Sequence, residues 1–257
     1  MPLPTFLIVG AQKCGTTTLA ATLRQHPQIT MARPKELHFF DRRPERGLDW
    51  YAEQFKPNRR TKQWGEATPA YMYLPETREA IHEAVPQARL VVILRDPVKR
   101  AYSHFWHTKR KGREDLDSFE EALALEPERL ATGTMRERAQ YSYVDRGHYV
   151  DQLEALARLY GRDRLHVLLL DDLIADRDTT LEQVLGFLGV DASKAGQLEE
   201  KWKNRYRVAE KPDQAPTPVA YPPLDPQTRE RLAEVYAPSN ERLAAWLGRD
   251  LPGWTRP

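Results

Sequence analysis

An apolar run that stops at a glycine-bearing loop constrains this chain more than any other feature. Phe6-Leu7-Ile8-Val9 is a short run with no polar residue to turn toward water, so it reads as a strand buried on both faces, as in a parallel sheet. It stops at Gly10. Ala11-Gln12-Lys13-Cys14-Gly15 then leads into a helix predicted over 16–25, which Pro27 bars from extending. Strand, tight loop and helix in that order gather backbone N–H groups and the positive end of a helix dipole at one point, the makings of an anion site. Lys13 adds a full charge, and Thr16, Thr17 and Thr18 add hydroxyl donors. The loop is not a Walker loop, in which the lysine follows the second glycine; here Lys13 precedes Gly15. An ordinary turn with a capped helix is the alternative reading of this segment taken alone.

The alternation continues along the chain. Strands are expected at 89–94 and 165–170. Helices are expected at 75–84, at 97–111 with Pro97 in the first turn, at 147–160 and at 179–188, with two more near 226–236 and 239–247. In the 147–160 segment Val150, Leu153, Leu156, Ala157 and Tyr160 share one face. The pattern predicts an α/β fold: a P-loop-like open parallel sheet covered by helices on both faces, in one domain over 1–257. Prolines 212, 216, 218, 222, 223 and 226 mark a Pro-rich loop over about 204–226.

With 39 basic and 37 acidic residues the net charge is +2, which argues against bulk nucleic-acid binding and makes any anion site a local one. Cys14 is the one cysteine, so no intrachain disulfide forms and a reducing compartment is expected. No signal-peptide pattern opens the sequence. The longest apolar runs, Val91–Leu94 and Val167–Leu170, are strand-sized. The expectation is a cytoplasmic protein without a membrane span.

Further segments carry a family likeness. Lys13-Cys14-Gly15-Thr16-Thr17 with Leu19, His26-Pro27, Lys35-Glu36-Leu37-His38-Phe39-Phe40-Asp41, Gly65-Glu66-Ala67-Thr68-Pro69-Ala70-Tyr71, Leu94-Arg95-Asp96-Pro97 and Arg100-Ala101-Tyr102-Ser103 follow one another in order. Together they resemble the sulfotransferases that use 3′-phosphoadenosine 5′-phosphosulfate (PAPS), most of all the heparan sulfate branch and its bacterial relatives. The likeness runs, more weakly, to Trp254.

The resemblance implies a donor site and a mechanism. Lys13 would stand beside the 5′-phosphosulfate, with Cys14, Gly15, Thr16 and Thr17 cradling the phosphate. Arg95 and Ser103 would hold the 3′-phosphate, and an arginine fork suits that task. Glu36 would be the general base for a hydroxyl or amine of a glycan, lipid or small-molecule acceptor. His107, one turn after Ser103, would assist at the sulfuryl group. The product nucleotide would be PAP, and no metal is called for. Thr68, Pro69 and Tyr71 would shape the acceptor side. Cys14 is expected to have a lowered pKa and to be a point of inactivation by alkylation.

The likeness has gaps. The late Lys-Gly-Arg of many relatives is missing, and Trp202, Arg205, Tyr206, Arg207 and Lys211 are the substitutes on offer for the nucleotide pocket. Ala67 stands where some relatives have lysine. Lys109-Arg110-Lys111 with Arg113 could attract an anionic glycan, but such runs read first as a solvated helix end. Two rival functions remain at this level: a Mg²⁺-dependent nucleotide kinase or NTPase, and a nucleotide-binding module without chemistry.

Overall fold

The computed structural model describes residues 2–199, 207–208, 217–218, 221–251 and 253–254. In chain order the elements are β1 (Phe6–Gly10), α1 (Thr16–Leu23), β2 (Ile29–Met31), α2 (Phe39–Arg42), α3 (Gly47–Ala52), β3 (Gln63–Ala67), α4 (Pro75–Ala84), β4 (Arg89–Leu94), α5 (Pro97–Arg110), α6 (Phe119–Thr132), α7 (Met135–Tyr141), α8 (Tyr149–Tyr160), β5 (Leu165–Leu169), α9 (Leu170–Ala175), α10 (Arg177–Leu188), β6 (Arg207–Val208), β7 (Thr217–Pro218) and α11 (Pro226–Leu247). Five strands make an all-parallel sheet in the order β2-β3-β1-β4-β5, and β6 and β7 form a separate antiparallel pair.

The apolar runs become the interior strands because helices shield the sheet. Every residue of β1 is buried, as are Leu90–Leu94 of β4. The order places β1 where the winding reverses: β2 and β3 lie to one side, β4 and β5 to the other. Such a reversal opens a crevice beyond the strands' carboxyl ends, where ligands of open parallel sheets bind. Both α1 and α5 start there, just after β1 and β4. A second apolar cluster, including Val98, Ala101, Phe105, Phe119, Tyr143, Leu232 and Tyr236, fixes α5 against α6 and α11. Among the described residues no helix is long and apolar enough to cross a membrane.

Three local features depart from the pattern. The C-terminal region is one helix, α11, rather than two, with Pro238 inside it. A proline there removes one backbone hydrogen bond. Packing of buried Leu232, Tyr236 and Leu243 keeps the segment helical on both sides. The second feature is β3, an interior strand of sequence Gln63-Trp64-Gly65-Glu66-Ala67, which no apolar run announces. Gly65 is required because a Cβ would run into the Phe6 backbone and ring. The third is α2–α3, two short helices between β2 and β3 that cover the sheet with stacked rings, Phe39 on Tyr51 at 4.6 Å and Phe40 edge-on to Tyr71 at 5.5 Å.

Candidate active site

The anion loop is built as its composition requires. Gly15, at φ 101°, ends the loop in a left-handed conformation and serves as N-cap of α1. Among the described residues no side chain caps α1 and no acidic residue sits in its first turn, so the positive end of this helix faces the crevice. The Ala11 amide donates to Ile93 O at 2.8 Å, tying the loop to the end of β4.

Across the crevice, Asp96 caps α5 by accepting from the Val98 and Lys99 amides at 2.8 and 3.4 Å. Such a cap contributes about 1 kcal/mol and fixes where the helix begins. That start sets the side chains that follow. Arg95 reaches back to Lys13 O at 3.5 Å, and buried Ser103 lies 3.3 Å from the Tyr221 hydroxyl. His107 Nδ1 is 3.4 Å from Lys13 Nζ.

Charge crowding tunes these groups. Burial first, then the neighbouring Arg110, Arg95 and Lys111, pull Lys13 down to about 8. Burial and the Lys13 charge pull His107 down to about 3, so the ring is neutral near pH 7. Its Nδ1 then accepts from the Lys13 ammonium, which leaves the proton on Nε2.

The opposite wall carries Glu36 in a loop of unusual backbone. Glu36 and His38 both have positive φ, 62° and 53°. Glu36 pairs with Lys35, and its Oε2 lies 3.5 Å from His38 Nε2, while His38 Nδ1 is 2.8 Å from Asp41 Oδ2. Burial opposes the Glu36 charge, but His38 and Lys35 outweigh it and hold the carboxyl at about 2. For His38, burial is outweighed by Asp41 and Glu36, and its pKa is raised.

These groups line one cleft of about 500 Å³. Lys13, Gly15, Thr16, Thr17, Glu36, Arg95, Ser103 and His107 all reach it. So do residues that sequence reasoning missed or read otherwise: Gln12, Arg42, Arg136 and Arg146, together with Arg110, Lys111 and Arg113. Among the described residues eight lysine and arginine side chains line the cleft against one carboxylate, Glu36. The run after Lys109 is therefore a cleft rim rather than a mere solvated helix end. Arg136 and Arg146 carried no readable signal, since α7 and the loop after it bring them in from a distance. Arg146 is 2% exposed; it donates to Gln12 Oε1 at 2.9 Å and stacks over Tyr73 at 4.4 Å.

Two expectations are corrected. Cys14 does not present its thiol to the cleft: the side chain is fully buried, 3.6 Å from the Tyr149 hydroxyl, and burial raises its pKa rather than lowering it. Proximity to Lys13 in sequence misled, because consecutive loop residues point opposite ways. Pro69 lines the cleft as expected, but Thr68 and Tyr71 are buried behind it and bond to Glu66. Trp202, Arg205, Tyr206 and Lys211 lie outside the described residues, and Arg207 is described only as backbone of β6 paired with Pro218.

Comparison with known proteins follows this geometry. Residues 3–215 match the sulfotransferase domain. The chain belongs to the sulfotransferase family. A sulfotransferase crystal structure from Alicyclobacillus acidocaldarius is 31% identical and superposes with a TM-score of 0.79 over the full length of both chains. Human heparan sulfate glucosamine 3-O-sulfotransferase 6 is 31% identical over 98% of this chain and 73% of its own length. Human bifunctional heparan sulfate N-deacetylase/N-sulfotransferase 3 is 30% identical over 99% of this chain, which spans only 31% of that relative. Membership removes the kinase reading, which rested on the similar loop and sheet.

Proposed function

We propose that this chain transfers a sulfuryl group from PAPS to a hydroxyl or amine of an acceptor that itself carries negative charge, in the glycan class that the names of its heparan sulfate relatives specify. One observation carries the reading: Glu36 faces Lys13 across a cleft that seven further lysine and arginine side chains line. The donor set suits PAPS. Lys13 and the start of α1 match a 5′-phosphosulfate, while Arg95 and Ser103 supply a guanidinium and a hydroxyl for a second phosphate. The exposed rim of Arg110, Lys111, Arg113 and Arg136 lies beyond these groups and supports an anionic acceptor.

In the transfer, a bond forms between the acceptor atom and sulfur as the bond from sulfur to the bridging 5′-phosphate oxygen breaks. The acceptor proton passes to Glu36, the charge left on the phosphate oxygen falls to Lys13 and the loop amides, and PAP departs. Glu36, held near 2, is ionised at every working pH; it takes the proton as bond formation makes the acceptor acidic. Neutral His107 steers the Lys13 ammonium and adds no positive charge of its own.

The test uses PAPS labelled in its sulfur with a panel of neutral and acidic glycans. Label transfer to acidic glycans, lost in Glu36→Gln while PAP still binds, supports the reading. Transfer undiminished in Glu36→Gln removes the base, and a preference for neutral acceptors removes the role of the rim.

A further inference from the structure

Behind the Glu36 loop lies a carboxylate that the transfer does not use. Glu66, in the last part of β3, is 1% exposed, and no cation is among its partners. Each oxygen accepts two hydrogen bonds. Oε1 takes the hydroxyls of Tyr51 at 2.7 Å and Tyr71 at 3.0 Å. Oε2 takes the Thr68 hydroxyl at 2.6 Å and the Leu37 amide at 3.2 Å. Tyr71, while donating to Glu66, accepts the Phe39 amide at 3.0 Å. A buried carboxylate is tolerated only when satisfied in this way, and this one is satisfied from three separate segments.

Two of those bonds land on the amides of Leu37 and Phe39, on either side of His38. The residues between and before them, Glu36 and His38, occupy the left-handed region that side chains with a Cβ avoid. Such a backbone persists only where its surroundings over-determine it. Leu37, 1% exposed, points into the core while Glu36 and His38 turn to the cleft.

We propose that Glu66 is a positioning residue: directly and through Tyr71 it pins the amides flanking His38 and so fixes the direction from which Glu36 enters the cleft. Burial raises its pKa against the pull of its four donors, in keeping with a group chosen for hydrogen bonding rather than for charge. The proposal rests on the reading of Glu36 as base for its catalytic consequence, but not for its structural content.

The experiment compares Glu66→Gln and Tyr71→Phe with the wild-type chain by amide hydrogen exchange, PAP titration and turnover. Tyr71→Phe is the near-isosteric variant; it removes the acceptor of the Phe39 amide without adding a group. Exchange at Leu37 and Phe39 is expected to quicken by about tenfold or more in both variants, with β4 amides and PAP affinity changed by less than about twofold. Turnover is expected to fall by about tenfold or more with little change in acceptor KM. In a Glu36→Gln background, Tyr71→Phe is expected to add no further loss, because the group being aimed is already gone. Unchanged exchange at Leu37 and Phe39 overturns the proposal, as does an equal loss of turnover in both backgrounds, which would mark a general packing role. If Glu36→Gln alone retains turnover, the base reading fails, and the exchange rates alone then decide whether Glu66 anchors the loop.

Discussion

The two walls of the cleft are built by different means. The donor wall consists of element ends: the loop from β1 into α1, the residue after β4, and one face of α5. Arg95, Ser103 and His107 point where the end of β4 and the turns of α5 put them, Lys13 comes from the loop at φ 70°, and the helix dipole adds to them. The Glu36 wall is a loop with two side-chain-bearing residues at positive φ, held from behind by Glu66, Tyr51 and Tyr71. Binding an anion tolerates some looseness, since charge acts over distance. Taking a proton, the role proposed for Glu36, requires hydrogen-bond reach, and a buried polar cluster bonds to the loop that carries it.

That contrast can be broken most sharply at Glu36. Glu36→Gln should cut turnover by about 10²–10⁴-fold and leave PAP affinity within about twofold, because the groups proposed to read the nucleotide sit on the other wall. A matching loss of PAP affinity would mean the walls are not separable. Arg95→Ala should do the reverse. Losing a charge-assisted hydrogen bond worth about 1.5–3 kcal/mol should weaken PAP by about 10- to 100-fold, with much of kcat recovered at saturating donor.

Smaller effects sharpen the picture. Replacing Arg113 and Arg136 together with alanine should raise KM for an acidic acceptor by about three- to tenfold and flatten its salt dependence, leaving PAP binding unchanged. The donor wall should also show its own pH signature. Lys13 is lowered to about 8, so the charge proposed to attract PAP is present below that pH and lost above it. PAP affinity should therefore be flat below pH 8 and fall above it, by at most about tenfold per pH unit, and Lys13→Arg should remove the decline. Least of all should happen at Cys14: with a buried thiol of raised pKa, native protein should resist alkylation, and labelling should appear only on unfolding.

How much of this was legible follows the same division. β1 and β4 are readable as apolar runs, and α5 starts at a proline, so Lys13, Gly15, Arg95, Ser103 and His107 fall on one edge of the sheet from the sequence itself. The β3 strand was not readable, because its fitness depends on partners: Gly65 makes room for Phe6, and Glu66 is acceptable only with two tyrosines, a threonine and an amide around it. Glu36 was legible through family likeness, but its left-handed backbone and its anchors were not. Arg136 on the rim and buried Arg146 behind it escaped because they come from segments whose positions are set by packing of α5, α6 and α11 rather than by any local pattern.

The central claim is that the donor wall reads a 3′-phosphorylated adenosine nucleotide. It is tested most directly by titrating the protein with PAP and, separately, with ATP, each in Mg²⁺ and in EDTA. The account predicts tight PAP binding that EDTA does not alter, and much weaker binding of ATP. ATP binding that requires Mg²⁺, with no preference for PAP, would contradict it.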